Sequence, residues 1–312
     1  MPDVILSITA HTQTFEYRVF NRNSSALKIT NAKLISLSAD PFSDDNNEIC
    51  VNGELLLDAN TGVKFWRGTE NEPEAIAISF PNNDGELIGE LVSATNGTIN
   101  INASNTIILN PMDDICKGAI PNRIPIWGDG AIGNLRTVGS VSNRQPSDLL
   151  NGQVQISARA VESLFKVPTG VEGLYEAGTV SLPLGTRLES DGFYSQTDQN
   201  QSGKWVGLAR PVSINGTHSF QVDISTDEQR VWLFRSGVRD AGIADPIGAS
   251  AFVSQTKDPG VIRTQVFIAI VFLIMQTVAT LVQTIDVSAP HSSKLKRPRP
   301  AKKPVEELQA DD

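Results

Sequence analysis

The chain has 312 residues, 40% apolar and 20% charged, with a net charge of −9. That balance excludes a disordered chain and leaves room for one large or two medium folded domains. In the C-terminal tail Lys294, Lys296, Arg297, Arg299, Lys302 and Lys303 stand against only Glu306, Glu307, Asp311 and Asp312, so the rest of the chain carries −11, and an acidic body of that kind is a poor partner for nucleic acid.

Residues 1–112 read as a first β-sandwich. Phe15, Tyr17 and Val19 alternate with Glu16 and Arg18, the period-2 pattern of a strand with one face in a core. Leu27 and Ile29, then Ile99 and Ile101, repeat it. Asn52-Gly53, Asp84-Gly85 and Asn96-Gly97 stand between apolar runs and predict tight hairpin turns, because these dipeptides tolerate positive φ. Residues 113–150 hold Pro121, Pro125 and a cluster of glycines, and predict an irregular junction. Residues 151–258 read as a second β-sandwich, with a short helix over Ala158–Lys166 and strands at Thr179–Leu184, Phe193–Tyr194, Trp205–Leu208, Phe220–Ile224, Val231–Phe234 and Ala251–Val253. Asp191-Gly192 and Asn215-Gly216 mark further turns.

Residues 261–287 then form an apolar helix. Thr264–Ile285 contains no charge, and at 1.5 Å per residue it is about 33 Å long, enough to cross a hydrocarbon core of about 30 Å. Phe267, Ile270, Phe272 and Ile274 offer contacts to lipid or to a helix bundle. Gln276, Thr277, Thr280, Gln283 and Thr284 recur at helical spacing and form a polar stripe suited to helix–helix hydrogen bonds. Residues 288–312 are a basic, Pro-rich tail whose Lys294, Lys296, Arg297, Arg299, Lys302 and Lys303 suit phosphates of lipid headgroups or of nucleic acid. Lys and Arg beside a membrane helix also resist translocation. The start, MPDVILSITAH, lacks the basic n-region and long apolar run of a secretory signal, which makes the C-terminal helix the expected targeting element.

The catalytic signatures are weak. Gly128-Asp129-Gly130-Ala131-Ile132-Gly133 matches the dinucleotide fingerprint by letter, but Pro125 interrupts the lead-in and Asn134–Gly139 is a poor helix, so a glycine-rich loop is the expectation. His11, His218 and His291 are widely separated, and Asp44-Asp45 and Asp113-Asp114 sit in turn-like sequence and read as solvated charge. The chain holds no G-x-S-x-G and no H-E-x-x-H, so it is read as a non-enzyme with no cofactor, no metal and no small-molecule substrate. Cys50 and Cys116 suit one disulfide or two buried thiols about equally. Sequons at Asn23, Asn96, Asn102, Asn200 and Asn215 are expected from composition alone. Trp66, Trp127, Trp205 and Trp232 predict core packing, with Trp66 and Trp127 also placed for a subunit contact.

The fold class expected is therefore all-β, two sandwich or jelly-roll units in series plus one C-terminal apolar helix. This arrangement, with its basic tail, resembles the jelly-roll capsid proteins of icosahedral viruses, especially the double jelly-roll lineage with an internal membrane. The resemblance is architectural and covers most of the chain. It implies a homotrimeric shell subunit of a virion, with itself and a lipid membrane as partners and packaged nucleic acid within reach of the tail. The alternative is a single-pass, membrane-anchored β-sandwich used for adhesion or ligand capture.

Overall fold

The alternation seen in the sequence is realised as strands, and the pairing among them is antiparallel throughout. The structure is a computed structural model that describes residues 4–36, 47–67, 74–81, 87–93, 97–111, 116–133, 149–159, 174–195, 204–214, 216–228, 230–235, 244–248 and 258–288. The strands are β1 (Val4–Thr12), β2 (Thr14–Val19), β3 (Leu27–Ser36), β4 (Asn47–Leu57), β5 (Gly62–Arg67), β6 (Ile76–Ser79), β7 (Leu87–Ser93), β8 (Gly97–Asn102) and β9 (Asn105–Leu109). They continue with β10 (Ile124–Ile132), β11 (Leu149–Arg159), β12 (Leu174–Leu182), β13 (Arg187–Ser190), β14 (Trp205–Ile214), β15 (Thr217–Thr226), β16 (Arg230–Phe234) and β17 (Ala244–Gly248). Two α-helices are described, α1 (Asp191–Ser195) and α2 (Pro259–Ser288). The chain is thus mostly β with one apolar C-terminal helix.

Neighbouring strands form one continuous path, β12-β11-β1-β15-β14-β10-β2-β5-β6-β9-β3-β4-β7-β8, with β13-β16-β17 branching from β10. Residues 1–262 make one compact unit and residues 263–312 a second. The path does not confirm two units in series: β1 pairs with β11 and β15 of the later half, whereas β2 pairs with β5 of the earlier half and with β10.

The turn from β1 into β2 follows from two threonines. Val4, Leu6, Ile8, Ala10 and Thr12 are buried, and after Gln13 the buried set shifts phase to Phe15, Tyr17 and Val19. A one-residue slip would flip every side chain unless the backbone corners there. The Thr12 hydroxyl donates to Thr14 O (2.7 Å) and accepts from Thr14 N (3.2 Å), while the Thr14 hydroxyl donates to Phe65 O (2.9 Å). Both buried hydroxyls are satisfied by the corner they create. Beside it Phe15 stacks on Phe65 at 4.9 Å and meets Phe220 edge-on at 5.0 Å, which locks β2, β5 and β15 into one core.

Several expectations change. The residues 113–150 read as an irregular junction contain β10, which lies in the middle of the path. Its composition disguised it. A Cβ on Gly128 (φ +152°) would lie 1.8 Å from Arg18 O, and one on Gly130 would lie 2.6 Å from Glu16 O and 3.4 Å from the Trp205 ring. The glycines let β2 and Trp205 approach, so they signal crowding, not a loop. Asn52-Gly53 lies inside β4, where Asn52 Oδ1 accepts from Asn31 N across an irregularity of β3. Asn215-Gly216 does lie between β14 and β15, with Ile214 opposite Thr217 and Gly216 at φ +80°. Ala158 and Arg159 belong to β11, not to the start of a helix, and the rest of the expected Ala158–Lys166 helix lies outside the described residues. Phe193–Tyr194 is helical, because the Ser190 hydroxyl caps α1 by accepting from Phe193 N at 3.2 Å. Ala251–Val253 and Asp84-Gly85 lie outside the described residues.

Cys50 and Cys116 form a disulfide with a Cα–Cα distance of 5.3 Å and a sequence separation of 66. It ties β4 to the segment entering β10. Loop-entropy arguments give such a link about 4 kcal/mol over the reduced unfolded chain. A Cys50→Ser, Cys116→Ser chain should therefore unfold at clearly lower denaturant and with a steeper transition, because the freed unfolded chain exposes more surface, read by tryptophan fluorescence; an unchanged midpoint would show that the bond adds nothing.

Candidate functional site

α2 starts where its sequence requires. Asp258 Oδ1 accepts from Gly260 N at 2.7 Å, Asp258 O accepts from Ile262 N at 2.9 Å, and Pro259 occupies the first helical position, where its missing N–H costs nothing. Asp258-Pro259-Gly260 is thus the helix cap. Gly260–Gln283 is 24 residues long and apolar enough to cross a membrane, and its most apolar stretch of 18 residues contains no buried residue. Phe267, Ile270, Phe272 and Ile274 are each about half exposed. For a helix in water, that much uncovered hydrocarbon is costly at ~25 cal/mol per Å².

The polar stripe is largely self-contained. Thr277 donates to Leu273 O and Ile274 O (both 2.8 Å), and Thr280 donates to Gln276 O at 2.6 Å. Hydroxyls folded back on their own helix are tolerated in hydrocarbon and leave less for a neighbouring helix. The side chains of Gln276 and Gln283, seven residues apart on one face, remain as the groups that suit helix–helix contact. The side chain of Thr284 and the tail cations Lys294, Lys296, Arg297, Arg299, Lys302 and Lys303 lie outside the described residues.

The body holds a second concentration of chemistry around β10, β13, β16 and α1. Arg187, partly buried, sits between Glu16 and Glu189 and over the Phe193 ring at 5.8 Å. Its guanidinium is held above its ordinary pKa because the two carboxylates outweigh burial, although burial is the largest single influence. Arg18 lies over the same ring at 5.8 Å, pairs with the wholly buried Asp129 at 3.5 Å and donates to Gly192 O at 2.9 Å. Asp191 Oδ1 accepts from Arg230 Nε (2.9 Å) and from Trp232 Nε1 (2.7 Å). Glu228 closes the group: one oxygen accepts from Asp191 N at 3.3 Å, and the buried carboxyl also interacts with the Trp205 indole N–H. Burial, helped by the neighbouring Asp129 and Asp191, pushes the Glu228 carboxyl up to about 8, against the opposing backbone bond from Asp191. Cations and aromatic rings occupy this group from several strands, and ties between β2, β10, β13 and α1 account for most of its members. We assign it a structural role.

Gly128 and Gly130 of the fingerprint-like Gly128–Gly133 run lie inside β10, and Gly130 N donates to the Ser190 hydroxyl at 3.0 Å, so the strand, glycine turn and following helix of a nucleotide site are not found among the described residues. His11 contacts Asn151 Oδ1 at 2.9 Å, His218 contacts Arg67 at 3.2 Å, and His291 lies outside the described residues, as do Asp44, Asp45, Asp113 and Asp114. Trp205 is core, whereas Trp127 is 41% exposed. Phe20 stacks on Trp127 at 5.9 Å, with Lys204 Nζ 3.2 Å from the Phe20 ring, and Trp127, Val206, Ile5 and Asp227 line a groove of about 480 Å³.

Comparison of the chain with protein-family models, with curated proteins and with solved structures finds no match.

Proposed function

We propose that the protein is a virion structural protein, a shell subunit whose β-body is tethered to an underlying membrane by α2. The observation that carries the reading is the apolar helix, a 24-residue span whose most apolar 18 residues include none that is buried, following a mostly β body. Support comes from the chemistry of the body: Arg18 with Asp129 ties β2 to β10 and Arg187 with Glu16 ties β13 to β2, as suits a scaffold. In this reading the tail cations meet lipid headgroups or packaged nucleic acid, and no cofactor or small-molecule substrate is required. The Cys50–Cys116 bond favours a second reading, a single-pass binding protein displayed in an oxidising compartment, with the Trp127 groove as its contact face.

Reconstitution separates the two. Full-length protein added to lipid vesicles and imaged by electron cryo-microscopy should coat them in an ordered layer if it is a shell subunit. Isolated, unordered projections at every surface density would overturn that reading in favour of the binding protein.

A further inference from the structure

Sheet edges are normally protected, because a row of unpaired N–H and C=O groups recruits other strands. Among the described residues, β8, β12 and β17 each pair on one side only. The protections differ. β17 carries Pro246 and Asp245, the latter bonded to Arg235. β12 carries Glu176 and is itself bulged at Ala177, which has no opposite residue in β11. β8, Gly-Thr-Ile-Asn-Ile-Asn, has no charge and no proline. Asn102 N donates to Asn105 Oδ1 at 2.7 Å, which ends the open stretch. Next to β8, the strand β7 leaves Leu87 and Val92 exposed at 50% and 41%.

We propose that β8 pairs antiparallel with β8 of a second copy of this chain, about a twofold axis at Asn100. The side chains select that occupant. Thr98, Asn100 and Asn102 are exposed, while Ile101 is buried and Ile99 half-buried against the core. A twofold at residue 100 sets each Asn100 carboxamide, at once donor and acceptor, against its own copy, a self-complementary pair. On the other face, each half-exposed Ile99 comes beside the second copy's strand and loses its remaining exposure to water, whereas Ile101, wholly buried in its own copy, adds no contact. Glu90 lies opposite Asn100 on β7 and is paired with Arg22, and the two copies of Glu90 stand three strand spacings, about 14 Å, apart. No like charges therefore meet. The contact names a route of self-assembly for the proposed shell, yet it depends on neither the membrane nor the virion.

The test uses the full chain in dodecyl maltoside. Both native cysteines are consumed by the disulfide, so an Asn100→Cys chain presents one free thiol. Mild oxidation, or a short bismaleimide, should convert it to a species of twofold mass, whereas Thr179→Cys on the β12 edge should stay single. Light scattering of the unaltered chain should give twice the protein mass of an Asn100→Lys chain, whose added charge points outward from a surface position and leaves the folded circular dichroism spectrum unchanged. A mass that survives Asn100→Lys, or cross-linking at Asn100→Cys no greater than at Thr179→Cys, overturns the proposal. A dimer lost instead on Gln276→Leu with Gln283→Leu would place the contact in α2 and also overturn it.

Discussion

A chain carrying Phe272→Arg and Ile274→Arg should lose its place in the floating fraction of a vesicle density gradient, whereas the unaltered protein should rise with the lipid. Both positions lie near the middle of the 24-residue apolar span, and both side chains are exposed. Each arginine at the centre of a bilayer costs about 3 kcal/mol on insertion scales, so the pair removes roughly 6 kcal/mol, a factor on the order of 10⁴. Arginine is a good helix former, and the helix itself should persist by circular dichroism. Equal flotation of the two chains would sink the membrane claim. It would also remove the main support for a tethered shell.

The Glu228→Gln chain should be the more stable of the two at pH 9, and its stability should hardly vary between pH 5 and 8. The Glu228 carboxyl is pushed up to about 8 in the folded protein, from 4.5 for an ordinary glutamate. Between those values the native state holds a proton that the unfolded chain has released. Stability contributed by that proton is fully present below the lower value and is lost as pH rises to the upper one. Each pH unit in the window removes up to about 1.4 kcal/mol, and the whole window at most about 5 kcal/mol. Glutamine is isosteric, keeps an oxygen for the Asp191 N–H and cannot ionise. Denaturant midpoints measured from pH 5 to 9 give the answer; parallel curves for the two chains would show that Glu228 does not govern the alkaline limb.

What could be read beforehand was what repeats with a period. Alternation at Phe15–Val19 and at Phe220–Ser225 gave strands directly, and an uncharged stretch of helical length gave α2. The central strand β10 escaped because Gly128 and Gly130 answer to the neighbours that crowd them, and those neighbours, Arg18 and Trp205, are distant in the chain. α1 escaped because Phe193-Tyr194 is aromatic like a strand, while the Ser190 cap that decides the matter is one hydroxyl. The ionic group left a faint trace: Glu16 with Arg18, and Arg187 with Glu189, are charges two apart on what alternation makes one strand face. Their convergence on Phe193 needed the three-dimensional pairing. The threonine stripe on α2 was visible, but the return of its hydroxyls to their own carbonyls was not, and that halves its value as a contact between helices.

The corner at Thr12–Thr14 has a consequence for the order in which the protein is made. β1 waits for partners that begin at Leu149 and end at Thr226, so both its edges stay open while well over a hundred residues are synthesised. Its neighbour β2 can meet β5 early, and the first half can begin to close while the leading strand hangs free. Contacts of such long sequence separation fold slowly, and an exposed alternating strand is a target for wrong partners in the interval. A ribosome-bound chain halted before β15 should remain a client of chaperones; one released past it can bury its first strand. Completion of the body therefore falls only a few dozen residues before α2 is translated, which sets the closing of the sheet and the emergence of the apolar helix almost side by side in time.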